Sequence, residues 1–472
     1  MPVPYKIGRT KMGEKFLAEK SQRLISLDVF RGITIAGMIL VNNPGSWGPG
    51  LRYAPLEHAN WNGWTPTDLI FPFFLFIVGV AMTFSFDKRI AMGQSRLRLF
   101  EHVLRRTFII FLLGLILTGF PRWRLIFPFI GFIVGLGFLF ADEPPLSFGK
   151  TVQEQVKKII AWILLVGSII YFIVDFNYFQ TSTPLIRIPG VLQRIALCYL
   201  FTAIIIFFAK VRGRIIWTVA LIVIYWLIMK LFSAPLDYRP EIAHPEGMLN
   251  DWIDAKIFGA HVYGERPDPE GLLSTIPAIA TTLLGVLCGN WLNSSRENRD
   301  KLLGLFFMGN VLLFIGICMH QGFPINKKNW SSSYVVFTAG MALQFLGMCF
   351  YLIDIKSIKK WSYSFLVFGV NPIFLFFASG IVARMMARIK IPLEGCQYSF
   401  IELIYKNLAA SVGIISPLDI QNSINSKEWI FRNIFMSWLS PINASLLFAI
   451  TYIFIWLLIM IPMYKKKLFI KI

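Results

Sequence analysis

Apolar runs of about twenty residues recur from near residue 25 to near residue 463. A backbone in lipid has to satisfy its own polar groups, so a run that crosses a bilayer must do so as a helix. The spacing predicts spans near 27–43, 66–86, 107–120, 125–141, 158–175, 189–209, 215–232, 272–292, 303–320, 332–352, 363–383 and 443–463. The expected fold is therefore all-α, a polytopic membrane bundle of about twelve helices. Of the 472 residues 15% are charged and 56% are hydrophobic, where a soluble domain carries about 25% charged residues. A soluble globular chain and a disordered one are both excluded.

The net charge is 46 − 26 = +20. The basic residues sit in short clusters between apolar runs, which is the pattern of bilayer orientation rather than of a nucleic-acid surface. The tail before residue 24, the segment Lys88–Arg106, and clusters at Lys157–Lys158, Lys210–Arg214, Arg296–Lys301, Lys356–Lys360 and Lys465–Lys467 all fall on one side of a twelve-span chain. The positive-inside rule makes that side the cytoplasm and puts both termini there. Loops 44–65, 233–271, 321–331 and 384–442 face the other side, and 233–271 is acidic. Lys327–Lys328 and Arg384, Arg388 and Lys390 run against the rule. The first apolar run follows a polar basic tail and has no small-residue cleavage site, so it reads as an uncleaved anchor. The five cysteines, Cys198, Cys288, Cys318, Cys349 and Cys396, include no CxxC pair. They give no disulfide framework or metal signature and read as buried space-filling thiols.

Chemistry is expected where polar residues meet spans. Segment 41–72 holds His58, Trp47, Trp61, Trp64, Tyr53, Asn42, Asn43, Asn60, Asn62, Arg52, Glu57 and Asp68. Aromatic rings beside amides and acids suit a sugar, while an interfacial aromatic belt has the same composition. His58 is the acid/base candidate of this loop, because histidine exchanges protons near neutral pH; a structural histidine is the bland reading. Thr65-Pro66-Thr67-Asp68 has the form of a helix start, with Thr65 as N-cap. Asp68 then caps that helix, orients His58, or does both. Asp28 and Arg31 lie three apart on one helix face, so Arg31 either neutralises Asp28 or receives an anionic ligand. Gln193 and Arg194 sit just inside a span, where an arginine must line a cavity or pair. Asn371-Pro372 interrupts another span and frees a carbonyl for a cavity. Asp268 and Glu270 precede the span 272–292, as caps or as substrate ligands. No HExxH or similar spacing occurs, so no metal is expected.

Several segments are long and unusual: SLDVFRGITIAGMILVNNPG, PLEHANWNGWTPTDLIFPFFLFIVG, RIPGVLQRIALCYL, DPEGLLSTIPAI, PINKKNWSSSYVVFTAG and GVNPI, in this order over residues 21–372. Together they resemble the heparan-alpha-glucosaminide N-acetyltransferase family of transmembrane acetyltransferases, in a bacterial-type form. The resemblance implies an acetyl-CoA-dependent enzyme of the bacterial inner membrane, with its active loop on the periplasmic side. It would move acetyl from cytoplasmic acetyl-CoA to the amino group of a glucosamine-terminated glycan or smaller amino sugar. The family's active histidine lies in His-Ala-x-Trp-Asn-Gly, here His58-Ala59-Asn60-Trp61-Asn62-Gly63, and its role passes to His58 as base or acetyl carrier. The Asn ending the preceding span matches Asn42, and the acid opening the next matches Asp68. Oxyanion donors would come from Asn42, Asn62 or Arg194. Trp61, Gln193, Asp268 and Glu270 complete the expected acceptor site, and Arg31 with the 88–106 cluster the CoA mouth. The domain division that follows is a tail over 1–26 and a transmembrane acyltransferase domain over 27–472, with an inserted helical hairpin at 121–180 and an outer-side segment at 384–442. The sequence departs from the lysosomal branch by lacking its large luminal domain ahead of the first span. Membrane lipid and a second copy of the chain are the other partners admitted. An amino-sugar transporter or flippase, and an acyltransferase with a hydroxyl acceptor, are the rival readings.

Overall fold

The computed structural model describes residues 24–120, 122–140, 150–174, 186–235, 248–264, 266–392, 402, 405–407, 409 and 423–470. The basic tail, Cys396, His244, the acids Asp237, Glu241, Glu246 and Glu265, and much of the inserted hairpin's loops and of 384–442 lie outside these residues. Every apolar run is helical within them: α1 (Ile25–Asn42), α2 (Pro66–Ala91), α3 (Arg96–Gly119), α4 (Trp123–Phe140), α5 (Lys150–Val174), α6 (Val191–Phe208), α7 (Val211–Leu231), the short α8 (Met248–Phe258), α9 (Thr275–Leu292), α10 (Asn298–His320), α11 (Ser332–Cys349), α12 (Tyr363–Gly369), α13 (Pro372–Arg388), α14 (Ser426–Ile430) and α15 (Pro441–Lys465). A π-helical turn, Phe350–Ile355, extends α11.

The molecule is an all-α membrane protein. Among the described residues, eight helices are long and apolar enough to cross a bilayer, and α12 with α13 makes a ninth candidate bent by 75° at its break. The run 107–120 is the distal part of α3, whose first turns carry Arg96, Arg98, Arg105 and Arg106. The apolar cores of α4 and α5 are shorter, at Ile126–Leu139 and Lys158–Val174. One small exception to the helical expectation lies inside 384–442, where β1 (Lys390–Pro392) and β2 (Ser423–Asn425) pair antiparallel with Ile391 opposite Ile424.

Close backbone approach builds the centre. In lipid, apolar burial supplies little drive between helices, so small residues that let backbones touch matter more. Helices α2 and α9 meet where a Cβ on Gly79 would lie 1.9 Å from the Thr282 carbonyl oxygen and one on Gly285 2.0 Å from that of Phe76. Helices α1 and α12 meet in the same way, at Gly32 against Phe365 and Gly369 against Asp28. Buried Phe73, Phe74, Phe76, Leu75, Ala278, Leu283, Tyr334 and Val335 fill the space between α2, α9 and α11. The hairpin α4–α5 packs outside this core through Ile126 and Phe129 against Leu115 and Ile116 of α3. Exposed side chains such as Ile163 and Ile173 of α5, Ile216 of α7, Phe307 and Phe314 of α10 and Leu458 of α15 give the apolar exterior that lipid requires. Cys198, Cys288 and Cys349 are buried, as expected, but Cys318 is exposed on α10, because that helix turns most of its surface outward.

The break between α12 and α13 is closed by protein rather than opened to a cavity. The Arg31 Nε donates to the freed Gly369 carbonyl at 2.7 Å. Asn371 donates to the Leu468 carbonyl at 2.9 Å and accepts from the Ile470 amide at 3.0 Å. The expected freed carbonyl exists, but Arg31 occupies it.

The seam between α2 and α9 leaves no room for a methyl group. Gly79→Ala and Gly285→Ala should each cost about 1–3 kcal/mol through overpacking, read as a lower Tm of the detergent-purified protein. Gly137→Ala, whose Cβ meets nothing within 4 Å, should leave Tm unchanged or slightly raised. Equal Tm in all three variants would show that the seam tolerates separation.

Candidate functional site

One buried carboxylate organises the loop that precedes α2. Thr65 is the N-cap and Pro66 the first helical residue. The Asp68 Oδ2 accepts the Thr65 amide and the Ala59 amide, each at 3.0 Å. The Thr65 hydroxyl donates to the Glu57 carbonyl at 2.6 Å. The other carboxylate oxygen, Oδ1, lies 2.7 Å from the His58 Nδ1. One oxygen of Asp68 thus meets the helix start and the other the imidazole. Its side chain is 1% exposed while that of His58 is 49% exposed, so the acid is sealed and the imidazole edge is open. An ionised Asp68 can only accept, which places a proton on Nδ1.

Lys327, one of the two adjacent lysines that run against the positive-inside pattern, completes the group. It comes from the turn between α10 and α11. There the Asn326 amide donates to the Ser331 hydroxyl at 3.0 Å, the Asn329 amide to the Asn326 side chain at 2.9 Å, and the Trp330 amide to the Lys327 carbonyl at 3.0 Å. Trp330 adopts a left-handed φ of 49° and is fully buried, its indole nitrogen donating to Thr281. The turn joins the histidine loop through Asn326 to Asn62 at 3.3 Å and the Gly63 amide to the Ile325 carbonyl at 2.8 Å. Lys327 Nζ then lies 3.0 Å from Nδ1 and 3.1 Å from Nε2 of His58, and 3.7 Å from Asp68 Oδ1. Burial pulls the lysine below its ordinary range, against the opposing pull of Asp68 and Glu270. The signal in the sequence was a lysine pair breaking the positive-inside pattern.

A second charged group borders the first. Arg187, ahead of α6, pairs with both Asp268 and Glu270 and lies over the Tyr263 ring at 4.5 Å. Burial opposes its charge, but Glu270 and Asp268 outweigh that and hold the guanidinium above its ordinary range. Asp268 also accepts the Tyr263 amide at 2.7 Å and the Glu270 amide at 2.9 Å, so this acid is a structural anchor. Arg194 donates to the Pro269 carbonyl at 2.7 Å, to the Gly271 carbonyl at 2.9 Å and to the Ser274 hydroxyl, and lies over Trp330 at 5.0 Å. It clamps the entry to α9 instead of lining an open cavity. The Gln193 amide is buried against Gly114 and Gly190 and has no hydrogen-bond partner among the described residues. Trp61 is buried beneath the loop and Asn62 is exposed on it. Asn42 ends α1 and is exposed; among the described residues no hydrogen bond ties it to His58 or Asp68. Of the other histidines, His320 accepts the Ile325 amide at 3.0 Å and His261 lies 2.8 Å from the Ile186 carbonyl, both serving loop geometry.

At the far end of α2 the character reverses. At about 1.5 Å per residue Arg89 lies roughly 30 Å along the helix from Asp68, close to the thickness of a hydrocarbon core. Arg89 approaches the His102 Nε2 at 3.0 Å. Burial and then Arg89, Arg105 and Arg106 push His102 down to about 4, which keeps it neutral and able to accept from Arg89. Arg106 lies over Tyr199 at 4.9 Å. Arg31 pairs with Asp28 and with the helix break. This is the basic end that can receive phosphates, opposite the histidine. Among the described residues no three His, Cys, Asp or Glu side chains are grouped as a metal site would need.

No family profile matches the chain. Two curated proteins named heparan-alpha-glucosaminide N-acetyltransferase do. The mouse protein is 25% identical over 366 residues, 67% of this chain and 47% of its own length. The human protein is 27% identical over 365 residues, 66% of this chain and 46% of its own length. These matches support a distant family relationship. The chain spans about half the length of the curated relatives it matches.

Beside the Arg194 clamp, Asp254 of α8 accepts the Leu272 amide at 2.8 Å and is otherwise sealed. Burial pushes its carboxyl up to about 7, Asp268 and Asp251 add to the rise, and Arg194 opposes it. An unfolded carboxyl ionises near pH 4, so between about 4 and 7 the folded protein holds a proton that the unfolded chain has lost. Stability therefore falls as pH rises through that window and stays reduced above it. The Tm difference between Asp254→Asn and wild type should move in the variant's favour from about pH 4 to about pH 8. A pH-independent difference would remove Asp254 as the source.

Proposed function

We propose that this chain is a transmembrane acetyltransferase that takes acetyl from acetyl-CoA at its basic end and delivers it to the amino group of a glucosamine-type sugar at the histidine end. The observation that carries the reading is the His58–Asp68 pair, with Nδ1 engaged at 2.7 Å and Nε2 presented at an open edge across the bundle from the arginines. The distant likeness to the named acetyltransferases supplies the reaction type. Twelve crossings with both termini cytoplasmic make the basic end cytoplasmic and the histidine loop periplasmic in a bacterial inner membrane. In this reading residues 1–26 form the basic tail and 27–472 the transmembrane domain, with 121–180 as its inserted hairpin.

The chemistry follows from the pair. Either Nε2 takes a proton from the sugar nitrogen as that nitrogen attacks the thioester, or Nε2 attacks first and carries the acetyl group. In both routes a bond forms to the carbonyl carbon, the C–S bond breaks, and the CoA sulfur leaves and takes up a proton. Asp68 holds the ring and faces the positive charge that develops on it. The Arg89–Arg106 cluster draws the CoA phosphates to the basic mouth, and the cofactor moves inward from there, since its extended pantetheine arm is shorter than the helix separation to His58; Arg31, already engaged by Asp28 and Gly369, lies at the rim. Glu270 and the exposed Asn62, Trp64 and Tyr53 surround the acceptor. The acceptor is an amino sugar or a glucosamine-ended glycan, and a second copy of the chain or bound lipid is a further partner.

His58→Ala and His58→Asn should lower acetyl transfer to glucosamine by at least about 10²–10⁴ while CoA binding and Tm are kept. Wild-type turnover by either variant sinks the assignment. Asp68→Asn retains an oxygen for the helix cap, so a large rate loss at unchanged Tm assigns the acid to the imidazole, whereas loss of both assigns it to the cap. In a cysteine-free background, Pro49→Cys should react with an impermeant thiol reagent on intact cells. Reaction only after permeabilisation inverts the orientation and ends the trans-bilayer mechanism.

A further inference from the structure

We infer that Lys327 is a catalytic residue, its ammonium donating to the oxyanion that forms on the acetyl carbonyl beside His58; this rests on the acetyl-transfer reading above. The argument begins with two nearly equal distances, 3.0 Å to Nδ1 and 3.1 Å to Nε2. A point equidistant from both ring nitrogens lies over the ring face or out past the carbon between them. At about 3 Å the second position would press the ammonium against that carbon, far inside contact distance. Nζ therefore sits over the face. It does not occupy the Nε2 lone pair, which lies in the ring plane and stays open.

That placement suits an oxyanion. When Nε2 attacks, the new bond lies in the ring plane and the carbonyl oxygen can turn out of it toward the lysine. When the sugar nitrogen attacks with Nε2 as base, the tetrahedral carbon lies one atom further out, within reach of a four-carbon stem. In either route the C=O electron pair moves onto oxygen, the ammonium hydrogen-bonds to it, and the pair returns as the C–S bond breaks; no proton leaves the lysine. The lysine is held ready by the ordered turn 326–331, its side chain 18% exposed. Asp68, 3.7 Å away, and Glu270 sustain its charge. The competing role is neutralisation of buried Asp68 alone.

Four groups face the lysine electrostatically: Asp68, His58, Glu270 and Lys328. Burial weakens its hold on the proton, so the ammonium is lost at lower pH than an ordinary lysine and the alkaline limb of kcat falls early. Arginine at this place keeps its charge throughout. The experiment measures kcat, KM and the pH profile of full-length wild type, Lys327→Met, Lys327→Arg and His58→Ala with acetyl-CoA and glucosamine, together with Tm. An oxyanion donor predicts a kcat loss of about 10²–10³ in Lys327→Met with KM and Tm little changed. It also predicts partial activity in Lys327→Arg with the alkaline limb moved upward; the acceptor's own titration is common to both enzymes. If Lys327→Met does not fold, the Lys327→Arg profile decides alone, and an unmoved limb overturns the inference. Wild-type kcat in Lys327→Met beside an inactive His58→Ala overturns the lysine's role and spares the acetyl-transfer reading. An active His58→Ala overturns that reading itself.

Discussion

The histidine end depends on a carboxylate that is sealed on every side. Asp68 divides its two oxygens between the start of α2 and the imidazole, and its backbone carbonyl accepts the Tyr334 hydroxyl from α11. A charge taken out of water must be paired and hydrogen-bonded or it destabilises the fold. Here the acid sits on α2 and its partners come from the loop before it, from the turn before α11 and, at its carbonyl, from α11. The requirement to satisfy one acid thus brings three separate stretches of chain to a common point. The imidazole above it is half exposed while the acid beneath is sealed.

The two ends of the bundle differ in kind. At the histidine end, charges are matched: Arg187 with Asp268 and Glu270, Arg194 with carbonyls of the α9 entry. At the other end arginines crowd a histidine held neutral. A bilayer-wide separation along one continuous helix fixes these environments apart. On the proposed reading, a cofactor rich in phosphate and an acceptor rich in hydroxyls would each meet suitable surroundings without sharing a compartment.

Much of this was legible in the residues themselves. Apolar runs gave all the long helices, because lipid leaves the backbone no alternative, and Thr65-Pro66-Thr67-Asp68 announced a helix start before its second role was visible. Span count was harder, since α3 begins as a charged amphipathic helix and α13 turns by 75° from α12. Arg194, Asp268 and Arg31 read equally well as ligands or as anchors, and periodicity cannot say whether a carbonyl lies within reach. Lys327 was hidden for a related reason: its contact with His58 spans 269 positions, and a local pattern registers only its unusual sidedness. Gln193 remains a buried amide without a partner among the described residues, a fact with no counterpart in the sequence.

The bend at residue 371 carries an implication for assembly. Its polar groups are met by Leu468 and Ile470, 97 and 99 positions later, and by Arg31, 338 positions before Gly369. While the chain is being threaded into the bilayer, the kinked helix pair emerges with an unclosed amide and must wait for the last apolar helix and the few residues after it. Those residues act as a latch. Until they arrive, Arg31 and the close contacts of Gly32 and Gly369 between α1 and α12 hold the kink from one side. A chain cut before residue 468 would therefore lack the Leu468 and Ile470 groups that close Asn371, leaving Arg31 on the Gly369 carbonyl at the kink.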